Sequence, residues 1–243
     1  MTTSDYEAKR QRLEEARETT LRKLGRVSDQ VLSRMVPLRP TAAGPELCFW
    51  PGHALGKIRI VHREKSVLLV TDGISDPWSP ELHPDSPDFT FDLEVALEVP
   101  TKWLEASTDE AIAKSWMPTF LWALTDWVVA ERVDLKARLV HFDCVTLAVP
   151  PVGGLESLVG ANGFHGVLLG IPYVGDQLCA QAVLAPLDGD DAVWLLPAKL
   201  LTPDEYDWAM GVRDSSRVVS LAQAFLRGGG RHLSWPSRPS ILP

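Results

Sequence analysis

The chain has 243 residues, 45% of them apolar and 23% charged, so it can bury the core of one large domain or two small ones. No apolar run approaches the roughly 20 residues of a membrane span, and the polar, charged start lacks the apolar stretch of a secretory leader, so the expected setting is the cytoplasm. The net charge of −8 divides into +3 over residues 1–40, −15 over 41–210 and +4 over 211–243. Such an acidic centre repels nucleic acid and either favours a basic protein partner or simply keeps the chain soluble. Cys48, Cys144 and Cys179 are odd in number and widely spaced, which predicts reduced thiols and neither a disulfide framework nor a zinc site.

Residues 4–36 carry Leu13, Ala16, Leu21, Leu24, Val27, Val31, Leu32 and Met35 at three- and four-residue steps, the pattern of one amphipathic helix. Gly25 weakens it and Pro37 ends it, and the prolines at 37, 40 and 45 predict a linker. Glu46–Trp50, Lys57–His62 and Ser66–Thr71 read as three short strands opening an antiparallel sheet. Val67–Val70 is a continuous apolar run, the pattern of a strand covered on both faces, and it runs into the Gly, Ser, Asp and Pro cluster 72–77. Pro77–Pro87 predicts an exposed, mobile loop.

In Phe89–Val99 the apolar Phe91, Leu93, Val95, Leu97 and Val99 alternate with Asp92, Glu94, Ala96 and Glu98, which predicts a strand with one buried face and a solvent-facing row of carboxylates. Ser107–Glu110 has the form of a capping box opening a helix to about Arg132, with Ile112, Trp116, Phe120, Leu124, Trp127 and Val128 as a core stripe and a kink or restart at Pro118. Leu139–Val149 reads as a strand that sets His141 and Asp143 on one face, a hydrogen-bonded structural pair in the first instance. Val167–Ile171 and Ala192–Leu196 are buried-strand patterns joined through the acidic turn 188–191. Thr202–Glu205 starts a helix with Thr as cap and Pro at its first position, Ser215–Arg227 forms a second, and the tail to Pro243 is expected to be loose. The resulting domain organisation is an N-terminal helix and linker over 1–40, a central domain over 41–212, and a helix with a tail over 213–243.

Catalytic patterns are sparse. Gly73-Ile74-Ser75-Asp76-Pro77 resembles a nucleophile elbow but ends in Pro without a following helix to offer oxyanion amides. There is no phosphate loop, dinucleotide fingerprint or calcium loop, so no catalytic residue, cofactor or metal is expected. The alternative is a hydrolase drawing on Asp72, Asp76, Glu94 and Glu98, carboxylates close in sequence to a polar loop.

Thr71-Asp72-Gly73-Ile74-Ser75-Asp76-Pro77-Trp78 resembles the T-x-G-[ML]-S-D-x-P-M signature of the suppressor-of-fused domain family, with Trp in place of Met and the spacing to Pro tightened. Phe91–Pro100 followed by Trp103, and Leu196–Glu205, resemble the family's acidic-apolar strand and its late P-[IVL]-T-x-x-E segment, so the likeness spans 45–212. It implies an α/β fold with a mixed, largely antiparallel sheet flanked by helices, preceded here by an N-terminal helical extension. It also implies a non-enzymatic module that sequesters protein partners, and bacterial members are associated with immunity to toxins. For a basic toxin partner, the contacts expected from the carboxylate strand and the proline-rich loop are Asp76, Trp78, Glu81, Asp85, Asp88, Asp92, Glu94 and Glu98. A scaffold that self-associates through its N-terminal helix is the other non-enzymatic reading.

Overall fold

In a computed structural model of the chain, the described residues are 3–35, 38–41, 44–47, 50, 55–78, 90–130, 135–173, 182–185, 192–211, 215–228 and 230–242. A six-stranded sheet is the frame, in the order β1 (Arg26–Met35), β4 (Leu55–His62), β5 (Ser66–Asp72), β6 (Leu93–Pro100), β10 (Val193–Pro197), β9 (Ala182–Ala185). Its neighbours are antiparallel except β6 with β10. That parallel pair needs a long crossover. The crossover holds α2 (Asp109–Lys114), α3 (Trp116–Ala130), α4 (Leu135–Phe142), β7 (Val145–Val149) and β8 (His165–Leu169), and β7 and β8 form a second sheet with β11 (Lys199–Leu200), which follows β10. A hairpin of β2 (Leu38–Thr41) and β3 (Gly44–Leu47) pairs where the prolines predicted a linker.

Helices and sheets alternate in layers. Helix α1 (Thr3–Leu24) covers one face of the large sheet through Leu13 and Leu21 on Val61, Leu68, Val70, Ala96 and Leu195. The other face packs Ile58, Ile60, Leu69, Val95 and Leu97 against Phe120, Leu124 and Val128 of α3 and against Leu147 and Leu169 of the small sheet. Helices α5 (Pro203–Met210) and α6 (Ser216–Arg227) close the far side with Tyr206, Leu221 and Phe225 on Leu168 and Leu201. The fold is thus mixed α/β with a largely antiparallel sheet, as expected.

Several expectations are corrected. The single helix over 4–36 is a helix and a strand. It stops at Leu24 because Gly25 packs so tightly on β4 that a Cβ there would sit 2.4 Å from the His62 carbonyl oxygen. The register jumps between Val27 and Val31, which face Val61 and Arg59, so this irregular edge strand keeps a four-residue apolar spacing that imitates a helix. The α2–α3 break falls at Ser115, whose hydroxyl accepts from Met117 N at 3.3 Å, and Pro118 lies in the first turn of α3, where no amide donor is needed. Thr108 caps α2, accepting from Ala111 N at 3.3 Å. His141 is exposed on α4 and Asp143 follows it with φ 61°, so the two do not share a strand face. The buried Leu135 and Leu139, four apart, hold that segment helical instead. The patterns at 167–171 and 192–196 form β8 and β10 in different sheets, and the acidic turn 188–191 lies outside the described residues.

Candidate functional site

The Thr71–Pro77 turn is built around one buried carboxylate. Strand β5 ends at Asp72, and the chain reverses through Gly73 at φ 118°, a conformation suited to glycine. The reversal aims the turn's donors at Glu94 on β6, which has no exposed surface. Its Oε1 accepts from Gly73 N at 3.0 Å, Ser75 N at 3.1 Å and Ser75 Oγ at 2.6 Å, and its Oε2 accepts from Thr71 Oγ1 at 2.6 Å. From above, Arg17 of α1 donates Nε to Asp72 at 3.1 Å and NH1 to Ser75 Oγ at 2.8 Å and to Asp76 at 2.5 Å, with Glu94 Oε1 3.8 Å away. Arg59 approaches the second Asp72 oxygen at 3.5 Å.

Burial pushes the Glu94 carboxyl up to about 7; the Arg17 guanidinium opposes this and Asp72 adds to it. Thr71 serves either protonation state. Its hydroxyl donates to the ionised Glu94, and Val95 O at 3.3 Å is an alternative acceptor when Glu94 itself carries the proton. Burial likewise acts on Arg17, but Asp76, Glu94 and Asp72 outweigh it and hold the guanidinium firmly charged.

Two further buried networks tie the C-terminal segment to the acidic centre. Glu98 receives Arg63 NH1 at 3.1 Å, the Ser66 hydroxyl and His232 Nε2 at 2.9 Å. Burial alone would raise its pKa, yet the bonds from His232 and Ser66 hold it below the ordinary carboxylate value. Glu205 completes the α5 capping box, accepting from Thr202 N at 2.8 Å, and also binds Arg238 NH1 at 2.7 Å and Ile241 N at 2.8 Å. Burial raises this carboxyl, but Arg238 brings it below its usual value. The buried Lys199 donates to the Leu233 and Gly230 carbonyls between the rings of Phe225 and Trp235, and burial pushes its ammonium down to about 7. His232, Ser234 and Arg238 are buried, so the tail expected to be loose is anchored at three points.

The sequence-derived site residues therefore separate. Thr71, Asp72, Gly73, Ser75 and Asp76 converge on Glu94, with Pro77 and Trp78 buried beside them. Glu98 belongs to the His232 network, and Asp92, at φ 48°, faces Lys136 at 3.4 Å. Glu81, Asp85 and Asp88 lie outside the described residues. The expected solvent-facing row of carboxylates is corrected, because all eight residues of β6 are buried. Arg17, Arg63, Lys199, His232 and Arg238 were missed. For Arg17 and Arg238 the one signal is the opposite charge of the chain's ends and centre; Arg63 and Lys199 lie in the acidic centre and His232 is not counted in that charge.

At the surface, Trp103 stacks on Trp235 with centroids 5.7 Å apart and planes 5° apart, and stays 44% exposed. Beside it opens a cleft of about 490 Å³ whose lining includes Trp103, Leu104, Ile112 and Trp116 together with the charged Glu105 and Lys114. Among the described residues no group of three or more His, Cys, Asp or Glu is arranged to hold a metal ion, and no helix is long and apolar enough to cross a membrane. Cys144 is buried.

No protein-family model matches the chain, and no curated protein does. A solved structure described as the Sufu-Fu complex crystal structure is similar, with a TM-score of 0.48 and 12% identity over 97% of this chain and 91% of that one.

Proposed function

We propose that this chain is a non-enzymatic protein-binding module of suppressor-of-fused type, and that it sequesters a basic partner, such as a toxin domain encoded beside it. The observation that carries this reading is the Trp103–Trp116 cleft, a recess walled by aromatic and aliphatic side chains with Glu105 and Lys114 in its lining, open at the surface of an acidic protein. Exposed aromatic shelves anchor protein partners, and net negative charge steers basic ones. The resemblance of Thr71–Trp78 to the family signature supports it as well.

Catalysis by the 72–98 carboxylates fits less well. Asp72, Asp76 and Glu94 are neutralised by Arg17 and by backbone amides, and Ser75 is locked between Arg17 and Glu94. Self-association through α1 in its docked position fits less well too, because its Leu13 and Leu21 are then buried on its own sheet. Co-expression of the tagged chain with the adjacent gene's product tests the proposal. The wild-type chain should retain the partner and Trp103→Ala should release most of it; retention of neither, or of both equally, would contradict the reading.

A further inference from the structure

Helix α1 sits on the large sheet as a ligand sits in a groove. Tyr6, Leu13, Arg17 and Leu21 are buried, while most of its other side chains face water. Leu13, Arg17 and Leu21 are spaced four apart and so share one face. Beneath them the floor is apolar, formed by Val61, Leu68, Val70, Ala96 and Leu195, and one end is walled by Asp72, Asp76 and Glu94.

The fit is specific for arginine. Nε and NH2 both reach Asp72 Oδ1 at 3.1 Å while NH1 spans Ser75 and Asp76, a division of donors that a lysine ammonium cannot reproduce. The groove cannot stay empty at low cost. Without α1, Asp72 would keep Arg59 at 3.5 Å, the buried Glu94 would lose the Arg17 guanidinium, and the apolar floor would be wetted. Release of α1 therefore favours replacement by an equivalent helix.

We propose that this groove is a helix-binding interface held shut in cis by α1, and that it accepts in trans a basic amphipathic helix of a protein partner presenting arginine between two leucines at four-residue steps. The groove lies on the face of the large sheet opposite α3, whereas the Trp103 cleft abuts the start of α3, so the two interfaces succeed or fail separately. Helix α1 runs into β1 through Gly25 alone, so any incoming helix competes with an intramolecular one.

The test uses the full chain and a labelled peptide of residues 3–24, read by fluorescence anisotropy. Wild-type chain should capture the peptide weakly. Chains with Arg17→Lys or Arg17→Ala, whose own helix is held less firmly, should capture it at least roughly 10-fold more tightly, since about 1.4 kcal/mol lost in cis is tenfold in competition. A peptide carrying Arg17→Glu should not bind any of them. Circular dichroism checks that each variant is folded, and Arg17→Lys decides the matter if Arg17→Ala is not. The proposal is overturned if the folded variants capture no more than wild type, or if the Arg17→Glu peptide binds as well as the native one.

Discussion

Glu94 shows how one residue holds several elements together. It joins β6 to the turn after β5, and through Ser75 and Arg17 it joins both to α1. Because burial lifts its folded pKa to about 7 from an ordinary 4.5, its stabilising contribution is complete below about pH 4.5 and is lost as pH rises through 7. The upper bound on that loss is roughly 3–4 kcal/mol, from about 1.4 kcal/mol per pH unit between 4.5 and about 7. Glu98 and Glu205, held below the ordinary value, act in the opposite sense: their contribution is present above the carboxylate range and lost on acidification. Below pH 7 these opposing carboxylates should place a local maximum of stability in mildly acidic solution, while Lys199, held down to about 7, adds stability as pH rises above 7. In urea titrations from pH 5 to 8, wild type should lose a component that Glu94→Gln lacks; parallel profiles would contradict this account. Gly73→Ala should cost about 1–3 kcal/mol at any pH, because its φ of 118° strains any other residue.

At the scale of elements, legibility in the sequence followed how local the determining contact was. The α5 start was read correctly from Thr202, Pro203 and Glu205, since a capping box is complete within four residues. The aromatic stripe of α3 was legible for the same reason, its partners repeating at helical spacing. Strand β1 was misread because its irregular pairing with β4 restores a four-residue apolar step, and that pairing is a contact across the sheet. The anchored tail was illegible: Arg238 finds Glu205 across 33 positions and His232 finds Glu98 across 134. Composition showed only that opposite charges were available. Arg238→Ala should lower stability by about 3–5 kcal/mol, because it leaves Glu205 ionised and poorly paired in the interior. The check is the urea midpoint, and a shift under about 1 kcal/mol would mean that the tail contributes little.

Over the whole molecule, the positive ends fold onto the negative centre. Arg17 from one end and Arg238 from the other neutralise carboxylates inside the protein, so part of the central charge of −15 never reaches the surface. The chain as a whole keeps a net charge of −8, and its surface carries the aromatic cleft at Trp103. In the proposed complex these divide the work, the charge governing encounter and the cleft governing residence. Trp103→Ala should weaken partner binding by about 2 kcal/mol or more through faster release. It should change the urea midpoint little, because 44% of Trp103 is already exposed.

The most direct test of sequestration is titration calorimetry of the purified chain against the adjacent gene's product at low and at high salt. The account predicts tight binding at low salt that weakens as salt screens the charge, with residual affinity from the cleft. An absence of binding at either salt, or binding indifferent to salt, would contradict the proposed capture of a basic partner.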